Sequence, residues 1–145
     1  MKNQIRKMFN SIYEEYDFIN NLITFGLHKK WKKQIVKISK SLSPRKILDV
    51  ATGTADIAIA LTKITNCEII GMDLSSNMLD MGNKKIKELN LHKSVKLEHG
   101  DVENLKYGDN VFDIVTVGYG VRNFENLKKS LDEIYRVLKK NGTLI

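Results

Sequence analysis

The sequence has few of the residues that cross-link a chain or carry it across a membrane. It contains one cysteine, Cys67, and one proline, Pro44, in 145 residues. A single thiol cannot form an internal disulfide, and no stretch approaches the roughly 18 consecutive apolar residues of a membrane-spanning helix. The first residues mix charges into a helical pattern, which excludes a secretory signal peptide. We therefore expect a soluble, cytoplasmic protein.

Metal ligands and a glycine-rich nucleotide loop are also lacking. The three histidines, at positions 28, 92 and 99, are scattered, and there is no cysteine cluster, so we expect no metal. The segment from Asp49 to Asp56 has one glycine where a nicotinamide-binding loop would show G-x-G-x-x-G. Neither metal-dependent chemistry nor hydride transfer is indicated.

The net charge of +7 is concentrated in the N-terminal part of the chain. Residues 1–46 hold 11 lysines and arginines against three acids, whereas the rest is nearly neutral. Such a segment is either a solvated face or a contact for an anionic membrane surface. Nucleic-acid recognition would favour aromatic residues interleaved with basic ones, and we expect no nucleic-acid partner. The oligomeric state remains open.

The apolar pattern predicts two helices followed by alternating strands and helices. The helices before Pro44 fall near residues 3–15 and 28–42. Beyond it, short apolar runs (KILDVA, CEIIGMD, VKLEHGD, FDIVTVG and TLI) alternate with helices near 55–64, 75–90 and 124–139. Apolar strands joined by helices predict a doubly wound, mostly parallel α/β sheet. We expect one structural domain, with residues 1–43 as a helical segment facing substrate or membrane and 44–145 as a cofactor-binding α/β part.

The loop after the first predicted strand has the residues to bind a zwitterionic cofactor. Asp49 would repel a pyrophosphate, but it suits a cation such as the ammonium group of S-adenosylmethionine. The helix N-terminus beyond Gly53 and Thr54 can receive the carboxylate of the same cofactor.

Two more acids close the next two predicted strands. Asp73 follows Asp49 by 24 residues, near the spacing at which an acid binds both ribose hydroxyls. Asp101 can accept a hydrogen bond from the adenine amino group, while Val102 offers apolar contact. Three acids at three consecutive strand ends therefore predict an S-adenosylmethionine site.

This arrangement resembles the class I methyltransferase family, a Rossmann-like fold with a seven-stranded sheet. The resemblance departs at Ala51 and Ala55, where many members have glycine, so the loop must tolerate two extra methyl groups. The resemblance implies seven strands, but the chain ends at Ile145, inside the fifth predicted strand. We therefore expect a fragment of a longer protein.

Two further segments resemble the ubiquinone/menaquinone biosynthesis C-methyltransferases. Residues 16–31 match their N-terminal signature, and Gly118 to Phe124 matches their loop after the fourth strand; the matching residues of the first segment are Tyr16, Asp17, Asn20, His28 and Trp31. A third match, Arg136 to Gly142, parallels the turn into strand five, and we expect Asn141 to take a positive φ there.

The resemblance implies methyl transfer to a ring carbon of a polyprenylated quinol, most directly demethylmenaquinol to menaquinol. Arg122 and Asn123 are expected to stabilise the developing phenolate. His28, Tyr16 and Asp17 are candidates for the general base. Gly118 is expected to contact the cofactor, and it favours the menaquinone pathway because ubiquinone-pathway members often carry serine there.

A lipid-soluble acceptor also gives the basic segment a role. Lysines 29, 30, 32, 33 and 37 are expected to hold the protein against the inner membrane face. Three alternatives stay open: ubiquinone-pathway methylation, methylation of another small molecule or of RNA, and cofactor binding without catalysis.

Overall fold

The computed structural model describes residues 27–145, with side chains from His28 onward. Its first element is helix α1, Leu27–Ser41, which lies close to the predicted range of 28–42. The helix predicted near 3–15 lies outside the described residues, as do Tyr16 and Asp17. None of the helices within residues 27–145 is long and apolar enough to cross a membrane.

Five parallel strands form one sheet in the order β3-β2-β1-β4-β5. The first strand lies at the centre, so each half of the sheet is wound outward from it, and the predicted doubly wound α/β fold is confirmed. The strands are β1 Lys46–Val50, β2 Glu68–Asp73, β3 Val95–His99, β4 Phe112–Val117 and β5 Leu138–Leu144.

The helices that connect these strands are shorter than predicted. Three α-helices follow α1: α2 Asp56–Leu61, α3 Ser76–Glu88 and α4 Leu127–Val137; two short 3₁₀ turns cover Val102–Asn104 and Val121–Asn123. Side-chain caps fix two of the starts, because Ser75 accepts from the Met78 amide and Asn126 from that of Lys129.

Alternating strand residues feed an apolar core on each face of the sheet. Ile47, Ile69 and Ile114 pack under α2 and α3, and Ile35 and Val36 of α1 join this face; the buried members are Ile47, Ala55, Ile57, Ala58, Leu61, Ile64, Ile69, Ile86, Val95 and Ile114. On the opposite face the strands pack under α4, with Leu48, Val50, Ile70, Met72, Val102, Leu105, Phe112, Val115, Ile134 and Val137. Burial on both faces explains the continuous apolar runs of the sequence.

The fifth strand differs from the prediction. It begins at Leu138, directly after α4, rather than at Thr143. Phe112 pairs with Leu138 but Ile114 pairs with Thr143, so a bulge separates the two parts of the ladder. Asn141 lies within this bulge and does not have the positive φ that we expected. The chain returns to the sheet by a register shift instead of a turn.

Candidate cofactor and acceptor cleft

A cleft opens at the carboxyl ends of the central strands, where parallel α/β sheets bind their ligands. Its volume, including the solvent-filled mouth, is about 1130 Å³. Loops after β1, β2, β3 and β4 form its walls, and α1 contributes His28. The lining includes the sequence-predicted residues His28, Gly53, Thr54, Asp73, Asp101, Val102, Gly118 and Asn123.

The loop from β1 to α2 follows an unusual backbone path. Ala51, Gly53 and Ala55 all have positive φ, at 53°, 57° and 67°. This region disfavours any residue with a Cβ, which gives a physical reason for glycine at the alanine positions in many class I methyltransferases. A Cβ built on Gly53 would meet nothing within 4 Å, so this backbone faces open space in the cleft.

Asp73 links the end of β2 to this loop. One carboxylate oxygen accepts from the Gly53 amide at 2.8 Å and the other from the Ser75 amide at 2.9 Å. Burial raises the pKa of Asp73, although these amides and that of Leu74 work against the shift. Each carboxylate oxygen has two lone pairs, so Asp73 retains acceptor capacity toward the cleft.

Asp49 does not face the cleft, which corrects its expected direct contact with an ammonium group. Its side chain is 1% exposed, and its two oxygens accept from the hydroxyls of Thr52 and Thr116 at 2.6 Å each. Asp49 and Thr116 are also register partners on β1 and β4. A ligand could reach this carboxylate only if Thr52, which lines the cleft, turned away.

Two acids, Asp101 and Glu103, follow the end of β3. Asp101 caps the 3₁₀ turn by accepting from the Glu103 amide at 2.9 Å. Glu103 is 7% exposed, lines the cleft and accepts from the Asn126 amide at 3.0 Å. Glu103 thereby fixes the start of α4 relative to the cleft.

An ion-pair cluster joins α1 to the loop between β1 and α2, residues 51–55, which is called the cofactor loop below. Asp56 lies 3.0 Å from the Lys85 ammonium and 3.3 Å from that of Lys32, and Lys85 also donates to Thr54 Oγ1 at 2.9 Å. Burial alone would raise the pKa of Asp56, but the two lysines outweigh it and lower the pKa. Lys32 therefore belongs to this cluster and not to the membrane-facing set expected from the sequence.

The side of the cleft where the acceptor is expected is built by α1 and the loop after β4; it is called the acceptor side below. His28 and Tyr119 stack with ring centroids 5.4 Å apart and planes at 15°. Asn123 also lines the cleft, whereas Arg122 is exposed and is not part of the lining. Direct contact of Arg122 with a phenolate, as predicted, would require its side chain to turn inward.

The two glycines of this loop, Gly118 and Gly120, accommodate close protein neighbours. A Cβ on Gly118 would lie 2.5 Å from Ile57 Cδ1, and a Cβ on Gly120 would overlap that of Ala51. Their lack of a side chain lets the loop after β4 pack directly on α2 and on the loop between β1 and α2. Both glycines also line the cleft, and the contact of Gly118 with the cofactor stays a prediction.

The charge of the cleft indicates what it can bind. Its lining, within the described residues, includes no lysine or arginine but five carboxylates: Asp56, Asp73, Asp101, Glu103 and Glu125. This field favours a cationic ligand and disfavours phosphates. S-adenosylmethionine fits: it carries a net positive charge, Asp73 and Asp101 can accept its hydrogen bonds, and Leu74, Met78 and Val102 provide an apolar wall.

Several important residues were missed by the sequence reasoning. Thr116 is a buried polar residue between Val115 and Val117 of the strand FDIVTV, and that polar position was the available signal for the Asp49 contact. Glu103 follows Asp101 by two residues, which marks a second acid at the same strand end. No local pattern pointed to the ring contact of Tyr119, because it depends on α1 meeting a loop about 90 residues away in the chain.

Solved structures support the class of protein that this fold and cleft define. A putative S-adenosyl-L-methionine-dependent methyltransferase from Methanococcus maripaludis superimposes with a TM-score of 0.68 and 28% identity, covering 80% of this chain and 61% of that one. The fold is that of the class I methyltransferases.

Sequence comparison narrows the class to one family. The model of the ubiE/COQ5 methyltransferase family matches residues 1–145, and the chain belongs to this family. It is 42% identical over 146 residues to a demethylmenaquinone methyltransferase of Staphylococcus saprophyticus, covering 99% of the chain and 61% of the relative. A demethylmenaquinone methyltransferase of Bacteroides fragilis is 38% identical over 143 residues, covering 98% and 58%. The chain thus spans about three fifths of the length of these curated relatives.

The left-handed loop generates a stability prediction. Replacing Ala51 by glycine removes the steric cost of its positive φ. The stability gained in this way exceeds the stability lost because glycine gives the unfolded chain more conformational entropy. The free energy of unfolding should rise by about 0.5–1 kcal/mol. The matched control is Ala60→Gly inside α2, which should lower it by about 0.5–1 kcal/mol. Urea denaturation measures both, and an Ala51→Gly protein as destabilised as the control contradicts the interpretation.

The buried carboxyl of Asp49 predicts a pH-dependent stability. Burial raises its pKa from 3.8 to about 6, while the hydroxyls of Thr116 and Thr52 partly oppose the shift and Asp73 adds to it. The pKa of Asp49 is higher in the folded than in the unfolded state. The protonated carboxyl therefore stabilises the fold fully below about pH 4, and this stabilisation is lost as the pH rises through 6. The difference in free energy of unfolding between an Asp49→Asn protein and wild type should therefore shift in favour of the variant by on the order of 3 kcal/mol from pH 4 to pH 7.

Asp113 provides a control with the opposite sign. Burial would raise its pKa, but Lys139 and the amides of Arg45 and Lys46 outweigh burial and lower it. An Asp113→Asn protein should lose stability relative to wild type as the pH rises. Urea denaturation at several pH values measures both differences, and a flat difference for Asp49→Asn would show that its carboxyl is ionised without cost.

Proposed function

We propose that the chain is the donor-binding part of an S-adenosylmethionine-dependent C-methyltransferase that converts demethylmenaquinol to menaquinol. The observation that carries the proposal is one cleft in which the donor-side acids, Asp73 and Asp101, meet the acceptor-side residues His28 and Asn123. The names of the two relatives support the menaquinone acceptor over its ubiquinone-pathway counterpart.

The donor side holds the cofactor through fixed acceptors and an open backbone. Asp73 is already oriented by the Gly53 and Ser75 amides, so its remaining lone pairs are aimed without further reorganisation at the ribose hydroxyls. Asp101 accepts from the adenine amino group beside the apolar Val102. Asp49 acts as a positioning residue through Thr52. When bound, the cofactor supplies an electrophilic methyl group.

The acceptor side raises the nucleophilicity of the ring carbon. His28 is 6% exposed and lines the cleft, which supports it as the general base for a ring hydroxyl. The Asn123 amide can donate to the phenolate oxygen that forms, and its place in the lining supports it over the exposed Arg122. The stacked ring of Tyr119 holds the imidazole and excludes water from it.

Isothermal titration with S-adenosylmethionine tests the donor site. Asp73→Asn replaces a carboxylate acceptor with an amide, so the dissociation constant should rise at least about tenfold. Asp132→Asn removes the same charge from an exposed position on α4 and should leave binding unchanged.

A methyl-transfer assay with demethylmenaquinol completes this test. Turnover by wild type with a strong loss in His28→Asn supports the proposed acceptor chemistry. Donor binding without turnover by wild type would instead favour a cofactor-binding chain without catalysis. Absence of donor binding by wild type would contradict both functions.

We further propose that α1 contacts an anionic membrane where a lipid-soluble acceptor resides. Lys29, Lys30, Lys33 and Lys37 are exposed, and the helix contains no acidic residue. Each lysine near an anionic surface contributes about 1 kcal/mol of binding.

Vesicles of neutral and anionic phospholipid test this contact by co-sedimentation. The triple change Lys30→Glu, Lys33→Glu and Lys37→Glu should weaken binding to anionic vesicles at least about tenfold. Salt at about 0.5 M should weaken the binding of wild type similarly, because it shortens the Debye length. The matched control reverses the exposed Lys84, Lys87 and Lys93. Equal losses in both proteins would show a nonspecific charge effect and contradict the assignment to α1.

A further inference from the structure

Three aromatic rings lead from the cleft to the surface. His28 and Tyr119 line the cleft and stack on each other. Tyr119 in turn contacts Trp31, with centroids 5.9 Å apart and planes at 41°. Trp31 is not part of the cleft lining and is 45% exposed. Apolar surface is therefore continuous from the acceptor side of the cleft to the outside of α1.

This row continues into an exposed apolar stripe on α1. Ile38 lies seven residues after Trp31, which places the two side chains within about 20° of each other, two helical turns apart. Ile38 is 42% exposed, and Leu42, just beyond the helix, is 48% exposed. The stripe borders the packed face of α1, where Ile35 and Val36 contact the core. Exposed apolar residues in a line, instead of singly, mark a binding surface.

We propose that Tyr119 and Trp31 form the exit of the cleft for an apolar tail of the acceptor, which then lies along the stripe of Trp31, Ile38 and Leu42. The inference rests on the proposed function, since it concerns an acceptor whose ring is in the cleft and whose isoprenoid tail is too long to remain there. The tail is the occupant that joins the cleft to the stripe.

A second copy of the chain fits this surface poorly. Lysines border the stripe, and α1 has no acid to pair with them, so two copies meeting through α1 would face like charges. An isoprenoid chain has no charge and needs only apolar contact. The lysine border keeps the tail at the surface that we propose to meet the membrane.

Paired acceptors separate tail binding from ring chemistry. With Trp31→Ala, KM for a polyprenylated demethylnaphthoquinol should rise about tenfold, because the tail loses a large apolar contact. KM for the same quinol without a tail should stay within about twofold, and kcat should change little for either. Tyr135→Ala removes an aromatic side chain that is 83% exposed on α4 and should change neither constant.

Trp31 is the sole tryptophan of the sequence, which gives a readout without turnover. Addition of farnesol, in the absence of vesicles and below its aggregation limit, should shift the emission of Trp31 to shorter wavelength. Farnesol should also compete with the polyprenylated acceptor but not with the tail-less one.

The outcomes distinguish this inference from the proposed function. An unchanged emission, or a Trp31→Ala protein that loses both acceptors equally, overturns the tail route. If wild type methylates neither acceptor while farnesol still shifts the emission, the proposed function fails and the apolar route stands.

Discussion

The contact between Asp49 and two threonine hydroxyls holds the centre of the molecule together. Thr52 belongs to the cofactor loop and Thr116 to β4, so one carboxylate joins the first strand, its loop and the neighbouring strand. Burying this carboxylate is costly, because desolvation disfavours the charged form. The hydroxyls recover part of that cost by donating to both oxygens. The walls of the cleft thus depend on a group that the cleft does not expose.

Strain and close packing extend this constraint outward. Ala51, Gly53 and Ala55 direct the cofactor loop through three left-handed positions, and Gly120 lets the loop after β4 pack on Ala51. The donor and acceptor sides are consequently in direct van der Waals contact. Lys32 adds a third connection, since it ties α1 to Asp56 at the start of α2. In the proposed function, the proximity of donor and acceptor would follow from contacts that the protein makes before either one binds.

The sheet and the strand-end acids could be predicted from the sequence because both depend on local signals. Apolar runs identify buried strands, and the residue that ends a strand must lie at the edge of the sheet. The direction of a side chain could not be predicted in this way. Asp49 accepts a hydrogen bond from Thr116, 67 residues away, and Arg122 is exposed whereas the next residue, Asn123, lines the cleft. The bulge in β5 depends on pairing with Phe112, which no local pattern reveals. Long-range packing decides such features.

In the proposed function, the carboxylates that line the cleft act differently on the donor before and after it has lost its methyl group. In a cleft that works as proposed, the sulfonium enters as a cation and leaves as an uncharged thioether once its methyl group is transferred. The same acids that attract the incoming molecule therefore lose much of their hold on the spent one. The charge of the lining would therefore favour exchange of product for fresh donor.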